Sequence, residues 1–355
     1  MLLNVSATIR LGGSGNVLRY LLLTLGLLTV AFLVWHIGPS NIYAAAAQLG
    51  PVALVAILVP SLIMYIIEAY GWKVTLDPSV QYVSFWRLLM IRTAGEVVNM
   101  TTPTAYVGGE PLKAYLLQRL GVPMVEGLAS VVIAKTTMTI AQVLFILAGI
   151  ASGFVILGAH GLSAQIIAAA LLSVGLLLFG TAAFVFMQRR GLFTWILETL
   201  RTIGVRSQFL DSREEQLRAL DRTILNFYSQ RRPVFYASTG LYFLGWLAEA
   251  LEVFVIIYYL GGPVGVLPAV SIGALSVFIK GGTFFIPGSL GTQDAGNLLL
   301  LKAFGYSDVT GITFALLRRF RELVWVGVGL LCLVLVKSPT DRLDGKAKPL
   351  SQEQV

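Results

Sequence analysis

Residues 124–150 read MVEGLASVVIAKTTMTIAQVLFILAGI. The run exceeds the ~20 apolar residues that a membrane-spanning helix needs. Near its centre stands Lys135. A charge at mid-helix costs ~2.5–3.5 kcal/mol on the lenient insertion scale, so it belongs against protein or a water-filled space rather than lipid. Together these facts predict a membrane helix that turns a cation inward.

Working outward, similar apolar runs occupy about 18–36, 51–72, 163–187, 234–260 and 308–336. Of the 355 residues, 56% are hydrophobic and 12% charged, against roughly a quarter charged in a soluble domain. With a mean hydropathy of +0.80, there is too little polar surface to cover a water-soluble globule. The first run is long and has no A-x-A-like cleavage site after it, so it reads as a retained span. The lone Cys332 permits no disulfide within the chain. His36 and His160 are too few for a histidine-rich metal site, and no cofactor or metal is expected.

Two further regions are apolar but interrupted. One, at 83–119, contains Gly95, Pro103, Gly108, Gly109 and Pro111; the other, at 266–303, contains Gly281, Gly282, Pro287, Gly288 and Gly291. Gly and Pro clusters end helices, so each region reads as two short helices meeting at a break. Such backbone persists at membrane depth only when buried in protein or lining a cavity. The expected fold is all-α, a polytopic transmembrane bundle of six spans and two re-entrant broken-helix hairpins.

The net charge of +8 is unevenly placed. Lys and Arg gather in the N-terminal segment (Arg10, Arg19), between Arg189 and Arg232, and in the tail (Lys337, Arg342, Lys346, Lys348). The links near 37–50, 151–162 and 261–265 lack both residues. Positive residues mark cytoplasmic segments, which puts both termini and a basic loop at about 188–232 in the cytoplasm of a cell with this protein in its inner membrane. In so apolar a chain the basic patch faces anionic lipid, not nucleic acid. Within it, residues 206–232 alternate charges with Leu217, Leu220, Ile224, Leu225 and Phe227, as an amphipathic surface helix does.

An internal duplication is suggested at a constant offset of 184. Glu68 and Glu252, Pro103 and Pro287, Gly121 and Gly305, and Lys135 and Arg319 all keep it without a gap. Repeat one would run about 51–150 and repeat two about 234–336, within one integral membrane domain. An odd number of spans between the starts of the repeats inverts the second copy. Inverted repeats with broken helices are a recurrent transporter plan.

The charges inside the spans give the candidate site. Lys135, Arg318, Arg319 and Arg321 are its cations; Glu68, Glu249 and Glu252 its anions. Glu249 and Glu252 share a helix face, and Arg318 and Glu322 stand at the four-residue spacing of an ion pair. These groups either pair only with one another or form a site for an anionic headgroup, for which arginine's planar fork is suited. The breaks would add helix starts. Gly108, Gly109 and Glu110 precede or open one, with Pro111 as its first residue. Pro287, Gly288 and Gly291 precede the other, which Thr292 would cap and in which Asp294 lies. Helix starts attract phosphate through unpaired amides, and glycine lets a headgroup approach.

The stretch from Asn99 to Pro103, then Gly108-Gly109-Glu110-Pro111-Leu112-Lys113 and Gly121, resembles the first signature of the lysylphosphatidylglycerol synthase transmembrane-region family. Pro287 to Gly296, Gly305 and Leu317-Arg318-Arg319-Phe320-Arg321-Glu322 resemble its second. The likeness covers roughly 15–340. It implies a membrane domain of the kind taken to flip aminoacylated phosphatidylglycerol in multiple peptide resistance factor, here as a stand-alone member without the synthase domain. Relatives of this length include hopanoid biosynthesis-associated proteins. Ser289 and Thr292-Gln293-Asp294 depart from the commoner second motif and leave the lipid class open.

The resulting expectation is a non-enzymatic flippase-like protein that moves an anionic or isoprenoid-linked lipid, with membrane lipids, lipid-biosynthesis enzymes and a second copy in a homodimer as partners. The competing expectation is a non-catalytic accessory or scaffold in hopanoid or glycolipid synthesis that docks an enzyme on its basic loop. An intramembrane transferase lacks a visible nucleophile–base pair.

Overall fold

A computed structural model describes residues 38–80, 82–102, 108–157, 164–204, 212–283, 289 and 291–336, with positions 24, 28, 31, 32 and 35. The expected first span at 18–36 falls largely outside these residues. So do Arg10, Arg19, His36, Pro103, His160, Arg206, Pro287, Gly288 and the basic tail. Every regular element among the described residues is helical: eleven α-helices and a 3-10 turn at Pro78–Val80.

Helix α1 (Pro39–Thr75) bends at Gly50, and its straight part from Leu49 is long and apolar enough to cross a membrane. The same holds for α4 (Met124–Leu157) and α8 (Arg232–Tyr259). These are the runs expected at 51–72, 124–150 and 234–260. The run expected at 163–187 forms α5 (Ala164–Gln188), an apolar helix of 25 residues, which meets α6 (Leu192–Thr202) at an 88° bend. The cause is Arg189-Arg190-Gly191, two cations and a left-handed glycine where the apolar run stops. The last run is α11 (Asp308–Leu335), of 28 residues. It is long enough but not uniformly apolar, because Arg318, Arg319, Arg321 and Glu322 lie buried in its middle.

Among its described residues the basic loop contains a further helix besides α6. Helix α7 (Glu214–Gln230) buries Leu220, Ile224, Phe227 and Tyr228 against Ala129 and Ile133 of α4. Asp221 of α7 accepts from the Phe193 and Thr194 amides at 3.1 and 2.8 Å and so closes the N-terminus of α6. The expected amphipathic surface helix is this element.

Both interrupted regions are broken helix pairs. α2 (Phe85–Thr101) and α3 (Gly109–Gln118) form the first; α9 (Val266–Gly282) and α10 (Thr292–Ala303) form the second. At 1.5 Å per residue, the 17-residue α2 and α9 each extend about 25 Å, short of the ~30 Å hydrocarbon core. Each pair precedes a long helix, α4 or α11, through a left-handed glycine, Gly121 or Gly305, which supplies a φ that L side chains rarely adopt.

The two pairs are anchored at opposite ends of α8. At its start, Arg231 donates to the Val74, Thr75 and Leu76 carbonyls at the end of α1, just before the first pair. Beyond its other end, the Tyr306 hydroxyl after α10 donates to the Pro263 carbonyl before α9 at 2.6 Å. The long helices cross over. A Cβ on Gly149 of α4 would stand 2.1 Å from the Ala274 Cβ of α9, and one on Gly329 of α11 would stand 2.0 Å from Val97 of α2. Small residues at these crossings let backbones meet closely, as membrane helix packing requires.

Candidate functional site

Between the broken pairs lies a cavity of about 270 Å³. Its apolar lining includes Met64, Met100, Met138, Trp246, Val277 and Trp325. Trp325 stacks on Tyr65 at 4.0 Å, and Arg92 lies over the other aromatic partner, Tyr65, at 5.0 Å. Its ionic lining is Glu68, Arg92, Glu96, Lys135, Glu249, Lys280, Arg321 and Glu322. A smaller pocket beside it reaches Glu110 and Lys113.

Each of the seven basic side chains in this belt has a carboxylate within 4 Å. Arg92 bonds Glu68, and Arg318 bonds Glu249. Arg321 reaches Glu252 at 2.6 Å and Glu249 at 3.4 Å. Arg319 holds Asp294 through two bonds of 2.9 Å and Glu322 at 2.7 Å. Lys113 lies 2.7 Å from Glu96 and 3.1 Å from Glu110. Lys135 is 3.5 Å from Glu110, and Lys280 is 3.1 Å from Glu322. Pairing offsets the desolvation that an isolated buried charge would suffer.

The sequence-selected residues divide accordingly. Lys135, Arg321, Glu68 and Glu249 line the cavity. Arg318 and Glu252 pack behind it, 4% and 1% exposed. Arg319 does not line it. Its planar fork grips Asp294 in the first turn of α10 and its Nη2 donates to the Ser289 carbonyl, so it fixes the second broken pair to α11. Arg318 pairs across to Glu249 rather than along its own helix to Glu322, whose partner there is Arg319.

The helix starts also differ from expectation. α3 begins at Gly109, with Pro111 third rather than first, still within the turn where a missing N–H costs nothing. The Gly109 amide is already taken by Asn99 Oδ1 at 2.7 Å. A Cβ at Gly109 would lie 2.0 Å from the Gly95 carbonyl, so this glycine serves helix contact, not headgroup approach. Gly108 precedes it as the N-cap. At the second start the cap residue is Gly291, not Thr292; its amide donates to Asp294 Oδ2 at 3.1 Å, and Thr292 donates to the Ser289 carbonyl. Neither described start leaves these amides open to a phosphate. Pro287 and Gly288 lie outside the described residues.

Sequence reading missed Arg92, Glu96, Lys113 and Lys280. Their signal was available: Arg92, Glu96 and Asn99 recur on one face of α2, and Glu96 and Lys280 obey the 184 offset, as do Glu110 and Asp294. Several buried atoms at the site have no hydrogen-bond partner among the described residues, including Arg92 Nη1, Glu68 Oε1 and Arg321 Nε. Among the described residues no cluster of His, Cys, Asp and Glu could hold a metal ion.

A family model described as "Lysylphosphatidylglycerol synthase TM region" matches residues 17–330. A similar curated protein is a "UPF0104 membrane protein" of Methanothermobacter thermautotrophicus, 25% identical over 302 residues, which cover 82% of this chain and 86% of that protein. No solved structure matches.

Proposed function

The chain belongs to the lysylphosphatidylglycerol synthase transmembrane-region family, and from that premise we propose that it is a non-enzymatic, flippase-like translocator of a phosphate-bearing lipid. The observation that carries this reading is the cavity of about 270 Å³ lined by eight ionic side chains together with apolar ones. That volume lies just below the ~300–1,000 Å³ of small-molecule sites, enough for a headgroup and too small for a whole lipid. A headgroup would enter while its chains stay in the bilayer. Lys135 and Arg321 would meet the phosphate; Glu68 and Glu249 would balance them; Arg318, Arg319 and Glu252 would hold the wall in place.

The anchoring of the broken pairs at opposite ends of α8 supports an inverted duplication, residues 51–150 and 234–336, whose halves would rock about the cavity. The positive-inside pattern supports an inner-membrane protein with both termini and the α6–α7 unit in the cytoplasm. Anionic and isoprenoid-linked lipids, the latter including those of hopanoid-type pathways, both present the phosphate or polar head that this cavity would receive.

The test is fluorescent phosphatidylglycerol exchange in vesicles containing the purified chain. Wild-type protein should speed exchange, and Lys135→Ala should abolish it while keeping the wild-type elution profile. Unaltered exchange by the variant would remove the headgroup assignment. The scaffold reading draws on the surface of α6, where Trp195 is 52% exposed. It predicts that replacing 188–232 by a neutral linker loses a bound biosynthetic enzyme while exchange persists.

A further inference from the structure

We propose that Lys135 and Lys280 form a two-lysine clamp, each moving from its carboxylate onto the phosphate of the ligand, while the arginines stay fixed. This rests on reading the cavity as a headgroup site and names the atoms that would touch the anion.

Exposure separates two of the lysines from the other cations, Lys113 being 8% exposed and as buried as the arginines. The side chains of Arg92, Arg318, Arg319 and Arg321 are 4–7% exposed, whereas Lys135 is 29% and Lys280 27% exposed, and both lysines line the cavity. An ammonium on a flexible four-carbon stem can be redirected; the arginines are buried against their carboxylates, and Arg319 is held by a two-bond fork onto Asp294.

The second observation concerns what each lysine leaves behind. Removing a cation from a buried carboxylate is strongly unfavourable when nothing replaces it. Glu110, the partner of Lys135, keeps Lys113 at 3.1 Å and the Asn99 amide at 3.2 Å. Glu322, the partner of Lys280, keeps Arg319 at 2.7 Å. Each departing lysine therefore leaves its carboxylate answered by another cation. Arg92 is different, since it is the cation that answers the 1%-exposed Glu68. The lysines stand on α4 and α9, helices from the two sides of the pseudo-repeat that meet at Gly149, so an anion held by both would join them.

The ligand chemistry is a phosphate group, and a lipid headgroup or free phosphate could supply it. The full-length chain in neutral maltoside micelles would be treated with sulfo-NHS-acetate, and acetylation of each lysine followed by mass spectrometry, with no addition, with sodium phosphate, or with phosphatidylglycerol. The clamp predicts that phosphatidylglycerol slows acetylation of both lysines about fivefold or more at a few times its Kd. Lys280→Gln should then abolish protection of Lys135. Protection of both by sodium phosphate as well keeps the clamp and assigns it to free phosphate too. Protection of neither lysine, or of one alone, overturns it. Lost lipid exchange with both lysines still protected would sink translocation and leave the clamp standing; normal exchange with neither protected would do the reverse.

Discussion

The two broken pairs share a backbone plan and fill it with different chemistry. In the first, Lys113 of α3 reaches Glu96 of α2 and is joined by Glu110, an ionic knot between the two short helices. At the positions 184 residues later stand Asn297, Lys280 and Asp294. There Asn297 bonds Ser276, both neutral, and Lys280 turns to Glu322 on α11 and to the cavity. One pair spends its charges on holding itself together. The other is closed by neutral hydrogen bonding and by Arg319 from outside, and its lysine is left for the cavity wall. Equal geometry does not imply equal tasks.

The comparison can be broken from either side. Lys113→Ala strands Glu96 beside the knot and should destabilise the protein by about 3–5 kcal/mol, read as a large fall in thermal midpoint in detergent. Asn297→Ala removes a neutral partner from Ser276, and about 1–3 kcal/mol is expected by the same measurement. Asp221→Ala lies outside both pairs and removes the closure of α6, so about 1 kcal/mol is expected, with faster amide exchange confined to 192–202. Lys280→Gln should change stability least, because Glu322 retains Arg319, yet it should remove lipid exchange. If Lys280→Gln melts as low as Lys113→Ala, the two pairs do the same work and the contrast fails.

Much of this was legible in the sequence. Long apolar runs without turn residues became α1, α4 and α8, and clustered Gly and Pro marked both breaks. Lys135 stood out because an uninterrupted apolar run surrounds it. Arg92, Glu96, Lys113 and Lys280 did not, because charges near Gly and Pro look the same in a solvated loop as in a short buried helix; packing alone distinguishes them. Arg319 showed the opposite problem. Its helical position was readable, but whether its fork met a ligand or Asp294 depended on where α10 lay, which local pattern does not encode. The end of α5 was readable in Arg189-Arg190-Gly191, where the apolar run stops and the basic loop begins; the angle of the turn was not.

The crossed helices carry a consequence for biogenesis. Gly329 seats α11 on the Thr93–Val97 face of α2, so that apolar face receives its cover from a segment synthesised more than two hundred residues later. The charges of the first half already answer one another, Arg92 with Glu68 and Lys113 with Glu96, so what waits for the end of translation is the apolar seam between α2 and α11.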